Sequence, residues 1–223
     1  AVLSKQRVVR MNDNAAALGI IPGMSVTTAR ALAEPEIPSN LVLLERDMTA
    51  EQHCLQQLCC WAYSVTPTLS IHTPDSLLLE IGSCLKLFGG LDNILSDITR
   101  NMEARDYRVE YGLATTPKAA WLLSFADSDH ALSIHCELAE RLAPLPLTLL
   151  DGLFSSAQSL RLAGLQTLGD VLSLPSAALS RRCGKDFSHY LEQLLGQRQD
   201  LLPLYQPPEH YADKYWFGYE VKA

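Results

Sequence analysis

The sequence predicts an α+β fold whose last third is helical throughout, and three observations lead there. Short apolar runs at 6–11, 41–44, 68–72, 77–81 and 107–114, bounded by turn residues, read as strands. Other stretches carry apolar residues at helical spacing, as Leu55, Leu58, Cys59 and Ala62 do. From Pro144 the strand candidates stop, and short helices separated by Gly and Pro run to Gly196. In the middle, the order strand, strand, helix, strand, helix suggests an antiparallel unit with helices on one face.

Taken in order, residues 6–11 form a strand with no evident partner upstream, so the reading expects residues before Ala1. Asn12, Asp13 and Asn14 open an alanine-rich helix that closes at Gly19. Pro22-Gly23 is a turn, and Ser25 or Thr27 caps a helix running to Ala33, stopped by Pro35 and Pro38. After the strand at 41–44, Asp47 starts a helix over 50–63. The strands 68–72 and 77–81 flank Thr73-Pro74-Asp75-Ser76, a tight-turn sequence. Leu87-Phe88-Gly89-Gly90 reads as a loop, 91–105 as an amphipathic helix, 107–114 as a strand and 118–126 as a helix. Gln206-Pro207-Pro208-Glu209 reads as a linker, followed by the start of a new strand at 215–221.

The 223 residues, 48% hydrophobic and 19% charged, suit one large globular domain or two to three small ones and exclude wholesale disorder. No apolar run reaches membrane-spanning length, and residues 1–10 carry three basic side chains without the apolar core of a secretory signal. Six cysteines without a CxxC spacing read as thiols of a reducing compartment, and no zinc or other metal site is expected. The net charge of −7 speaks against a simple basic nucleic-acid binder. Its distribution is uneven: segments 1–50, 51–140, 141–205 and 206–223 carry 0, −7, +1 and −1. A polyanion contact is therefore expected outside the middle segment.

The most specific local pattern is the stretch Leu162-Ala163-Gly164-Leu165-Gln166-Thr167-Leu168-Gly169-Asp170-Val171-Leu172, the sequence of a helix-hairpin-helix element. There a glycine turn lets backbone N–H groups reach a phosphate at a helix N-terminus. The alternative, which the pattern favours less, makes Gly164 and Gly169 ordinary helix terminators in a small bundle. Arg161, Arg181, Arg182 and Lys185 are the candidate phosphate contacts, which position without reading sequence.

The succession of elements, with Gly19-Ile20 and Pro22-Gly23-Met24-Ser25-Val26, Thr115-Thr116-Pro117-Lys118 and Leu165 to Asp170, resembles the Y-family translesion DNA polymerases. Trp61-Ala62, Thr66-Pro67, 77–81, Leu87-Phe88-Gly89-Gly90 and 116–121 narrow this to the ImuB-like, catalytically degenerate branch. The resemblance runs from about Arg7 to Val221. It implies a fingers-like segment at 1–50, a ferredoxin-like palm at 51–140 and a helical thumb at 141–205. A linker and the start of a little finger would follow at 206–223, with the first strand and most of the little finger missing.

Nucleotidyl transfer by two metal ions needs carboxylates on both metals and cations on the triphosphate. Active relatives carry an adjacent Asp-Glu pair at the palm hairpin; His72 and Thr73 stand there instead. At the positions matching the triphosphate grip this chain has Asp13, Ala16 and Leu122. Asp75 and Glu80 are the other acids that could converge, although Asp75 is equally a turn residue and Glu80 has no acidic neighbour. The first thumb turn reads Asp151-Gly152-Leu153-Phe154, with Phe where a second glycine would admit a phosphate.

The resemblance thus implies a polymerase-shaped scaffold without a cofactor. It would bind DNA weakly and non-specifically, and would be located in the bacterial cytoplasm at the nucleoid. Its implied partners are a RecA-like accessory protein, an error-prone replicative-type polymerase and the sliding clamp. Three other readings stay open: an active polymerase with atypical ligands, a helix-hairpin-helix DNA-binding module, and a protein-interaction platform with no DNA role.

Overall fold

A computed structural model describes residues 1–33, 41–72, 74–126, 131–132 and 136–208. The chain divides into two compact units, Ala1–Leu58 and Cys59–Ala223.

In the first unit, β1 (Val2–Ser4) and β2 (Arg7–Arg10) form an antiparallel hairpin, and β3 (Leu44–Glu45) joins β1 in parallel to give the order β2-β1-β3. Residues 6–11 therefore do have an upstream partner, one too short to announce itself in the sequence. Lys5 and Gln6 both sit at positive φ, 50° and 63°, which the two-residue hairpin turn requires to match strand twist. The far edge of β2 is closed by the turn at Pro22-Gly23: Gly23 N–H donates to Val8 O (2.7 Å) and Val8 N–H to Met24 O (2.9 Å). Asn12 caps α1 (Asp13–Ala17) by accepting from Ala15 N–H, and Ser25 Oγ accepts from Thr28 N–H at the start of α2 (Val26–Ala33). Leu3, Val8, Ala15, Ile20, Val26 and Ala29 make the core of this unit. Of the strand expected at 41–44, only Leu44 is in a ladder, because β1 is only three residues long.

Helix α3 (Met48–Ala62) starts at Asp47, whose Oδ1 accepts from Thr49 and Ala50 N–H. In the second unit, β4 (Leu69–His72) and β5 (Ser76–Leu79) pair antiparallel, with Leu69 opposite Leu79 and His72 opposite Ser76. A 3₁₀ turn (Gly82–Cys84) leads into α4 (Leu85–Phe88). The Leu-Phe-Gly-Gly stretch is thus half helix, not all loop: Gly89, at φ 75°, supplies the left-handed cap that ends it. Next come α5 (Leu91–Glu103) and α6 (Pro117–Leu123).

Residues 107–114 are not a strand. A strand exists only in a ladder, and the backbone bonds here go elsewhere, Tyr107 N–H to Met102 O and Leu113 N–H to Ala131 O. Gly112 lies so close to α6 that a Cβ would fall 2.4 Å from Ala120 O.

The helical region follows as α7 (Leu138–Leu142), a 3₁₀ turn (Leu147–Leu150), α8 (Ser155–Leu162), α9 (Leu168–Leu172), α10 (Ser176–Cys183) and α11 (Lys185–Leu194). Leu142, Leu147, Leu150, Leu160, Leu168, Phe187 and Leu194 form a core that also takes up Ala119, Leu122 and Leu123 of α6. Arg141 is buried in this unit, and its guanidinium donates to Leu113 O (2.6 Å) and Ala131 O (2.9 Å). Such hydrogen bonds are what make a buried charge tolerable. The expected palm-like and thumb-like residues from 59 to 205 lie in this one unit. The strand expected at 215–221 lies outside the described residues. No described helix is long and apolar enough to cross a membrane.

Candidate functional site

The β4–β5 hairpin places His72 at the end of β4, half-buried, with its ring 4.7 Å from that of Trp121 on α6. Trp121 in turn meets Phe125 edge-on at 5.2 Å. Burial, and after it the charge of Lys118, hold His72 below its ordinary pKa, against opposing pulls from Asp75 and Asp200. That shift favours the neutral form of the imidazole. Thr73 lies outside the described residues. Glu80 is committed to the 3₁₀ turn: its carboxylate accepts from Ser83 N–H (3.1 Å) and Ser83 Oγ (2.5 Å). Asp75 accepts from Ser76 Oγ at 3.3 Å. Among the described residues, no three His, Cys, Asp or Glu side chains gather as a metal ion would require.

Asp13 and Ala16 lie exposed on α1, in the first unit. Leu122 does not line any open site. It is fully buried, because Ala119, Leu122 and Leu123 form the inward stripe of α6.

An ion pair that sequence reasoning missed lies beside this hairpin. Lys118 Nζ donates to Asp200 Oδ2 at 2.6 Å, with the two side chains 20% and 10% exposed. The ammonium also lies 5.5 Å from the ring centre of Tyr190. The partners are 82 residues apart, and neither has local context that would announce the pairing.

The helix-hairpin-helix stretch has the expected shape: α8, a turn through Gly164 at φ 97°, then α9. Its amides are already used, however. Gln166 and Thr167 N–H donate to Asp170 Oδ2 (2.8 and 2.9 Å), and Asp170 N–H donates to Thr167 Oγ1 (3.2 Å). Leu168 N–H goes to Leu145 O, Gly169 N–H to Ala143 O and Gly164 N–H to Arg161 O. The Thr167–Asp170 capping box explains why Asp170 is held below the usual carboxylate range, first by its bond from Thr167 N–H and next by that from Gln166. Gly169 is a packing glycine: a Cβ there would lie 3.0 Å from that of Ala143 and 3.1 Å from its carbonyl oxygen.

Of the candidate phosphate contacts, Arg161 forms an ion pair with Asp151. Arg181 and Arg182 end α10 and Lys185 begins α11, on either side of Gly184; all three are exposed, and none has an ion pair among the described residues.

The sequence pattern of the impB/mucB/samB family matches residues 1–125, more than half of the chain. The chain belongs to the impB/mucB/samB family. It is 31% identical over 207 residues to Protein ImuB of Caulobacter vibrioides, a match that takes in 92% of the chain and 44% of that protein. This impB/mucB/samB member thus spans less than half the length of its curated relative. Among solved structures it is similar to DinB from Sulfolobus solfataricus, with a TM-score of 0.65 and 18% identity. That match covers 90% of the chain and 60% of DinB. A Y-family DNA polymerase chimera of Dbh and Dpo4 matches with a TM-score of 0.69 and 17% identity, over 90% of the chain and 59% of its own. The fold of this impB/mucB/samB chain is that of Y-family polymerases.

Proposed function

We propose that this chain is the polymerase-shaped part of a scaffold for damage-induced mutagenesis that performs no nucleotidyl transfer itself. The observation that carries the reading is His72. It stands where the resemblance expects an acidic pair, and its ring packs on Trp121 at 4.7 Å. Glu80, the other acid that could have served, is bound to Ser83. The similarity to Protein ImuB supports the wider role. DNA contact, on this reading, falls to side chains and not to the hairpin amides, with Arg181, Arg182 and Lys185 as the available cations. The RecA-like, polymerase and clamp partners implied by the resemblance belong to the same proposal, as does a place at the bacterial nucleoid.

The test is primer extension by the full-length protein with Mg²⁺ or Mn²⁺, for which no added nucleotide is expected. Template-dependent extension that Asp75→Ala abolishes would favour the active-polymerase reading.

A further inference from the structure

Residues 197–205, which follow α11, return across the second unit to β4. Gln197 and Arg198 N–H both donate to Glu192 O (2.8 and 3.1 Å), which turns the chain out of the helix. Gln193 Nε2 donates to Gln199 O at 3.2 Å. The segment then lies along the edge of β4 that β5 leaves open: Tyr205 N–H donates to Leu69 O (2.8 Å) and Ser70 Oγ to Pro203 O (2.7 Å). Tyr205 Oη meets Cys60 Sγ at 3.1 Å, and its ring joins the cluster of Cys59, Ala62 and Leu69. Between these anchors Leu201 and Leu204 face outward, 81% and 57% exposed, while Leu202 is half-buried. Little hydrophobic burial therefore holds the middle of the segment. Beside the bonds to Gln199 O and Pro203 O, its one ion pair among the described residues is Asp200 on Lys118.

That ion pair has more donors than it uses. An ammonium has three N–H groups, while the described bond takes one. Close by, Tyr190 is 8% exposed, and its hydroxyl has no hydrogen-bond partner among the described residues. Burial, followed by the charge of Asp200, pushes that phenol up, which puts the hydroxyl within reach of the same carboxylate's field. A carboxylate brings fewer acceptor oxygens to such a cluster than a phosphate group does.

We propose that Lys118 and Asp200 form a latch that holds residues 197–205 as a strap on β4, and that a phosphate group competing for Lys118 opens it. The proposal goes beyond the scaffold reading and does not depend on it, since a strap of this kind can sit on an active or an inactive polymerase fold. Asp200 acts as the chain's own anion on Lys118. An external oxyanion that takes the lysine leaves Asp200 without its cation and frees the exit from α11.

Hydrogen exchange at the Tyr205 amide in the full chain reads the latch directly, with the core amides of α11 as an internal control for global stability. Asp200→Asn and Lys118→Met are each expected to speed exchange at Tyr205 by at least about tenfold while α11 stays protected. Unchanged protection at Tyr205 in both variants would overturn the latch. If one variant loses α11 protection as well, the other decides. In the wild type, sodium tripolyphosphate is expected to speed the same exchange relative to sodium chloride at equal ionic strength, and a short DNA duplex tests whether a backbone phosphate does so too. No response to either probe, with the variants responding, would overturn opening by phosphate. A response to one alone identifies the source.

Discussion

The β4–β5 hairpin and the turn between α8 and α9 differ in what their polar groups do. At the hairpin β4 and β5 pair in antiparallel register, and His72, at the end of β4, packs its ring on Trp121. At the helical turn the residue types are those of a phosphate-binding hairpin, while its amides are consumed by Asp170, Ala143 and Leu145. One region ends its strand in a packing group; the other carries a hairpin-like sequence signature with its amides turned inward. A motif therefore speaks for architecture more reliably than for chemistry, because packing constrains residue types even where no ligand is held.

The largest effect that can sharpen this contrast is in the helical core. Phe187 is fully buried and meets Phe154 edge-on at 5.2 Å. Phe187→Ala is expected to cost about 3–5 kcal/mol in urea unfolding. His72→Ala should cost clearly less, since that ring is only half-buried; equal losses would mean that the hairpin is as much a structural keystone as the core.

Gly169→Ala separates packing from phosphate contact. The new methyl would press on Ala143, so a loss of about 1–3 kcal/mol is expected. DNA affinity of the folded variant should stay as in the wild type. A selective loss of DNA binding without destabilisation would restore the amide-cradle reading.

The double substitution Arg181→Ala, Arg182→Ala should do the reverse. Stability is expected to move by no more than about 0.5 kcal/mol, as for surface changes generally. Non-specific DNA affinity should fall equally for all sequences, and the slope of log affinity against log salt should flatten by about 1–2. Titrations of labelled duplex at three salt concentrations measure both; an unchanged slope would remove these arginines from the interface.

The smallest effect is the pH dependence of the capping box. Because Asp170 is held below its unfolded value, its contribution is present above about pH 4 and is lost as the pH falls through the lowered native value. The difference in melting temperature between wild type and Asp170→Asn should therefore shrink from pH 5 downward. A difference that grew on acidification would show that the carboxylate is not what stabilises the turn.

Local chemistry in the chain was enough to place most helices, the helix starts at Asn12 and Asp47, the β4–β5 turn and the glycine turn before α9, since each depends on neighbours within a few residues. That His72 and Thr73 stand at the hairpin was equally legible, because a residue type is read without coordinates. Long-range contacts were not. Whether 107–114 pairs as a strand depends on a partner, and its N–H groups went to Met102 and Ala131. Whether Leu122 faces a site or the core depends on what packs against α6, and the core took it. Whether the amides before Asp170 are open depends on Ala143 and Leu145, some twenty residues upstream. The joining of Lys118 to Asp200 is the extreme case: nothing local to either residue names its partner, and only the return of the chain from α11 to β4 brings them together. Hydrogen bonds and ion pairs are short-ranged in space but indifferent to separation along the chain, so tertiary structure decides them.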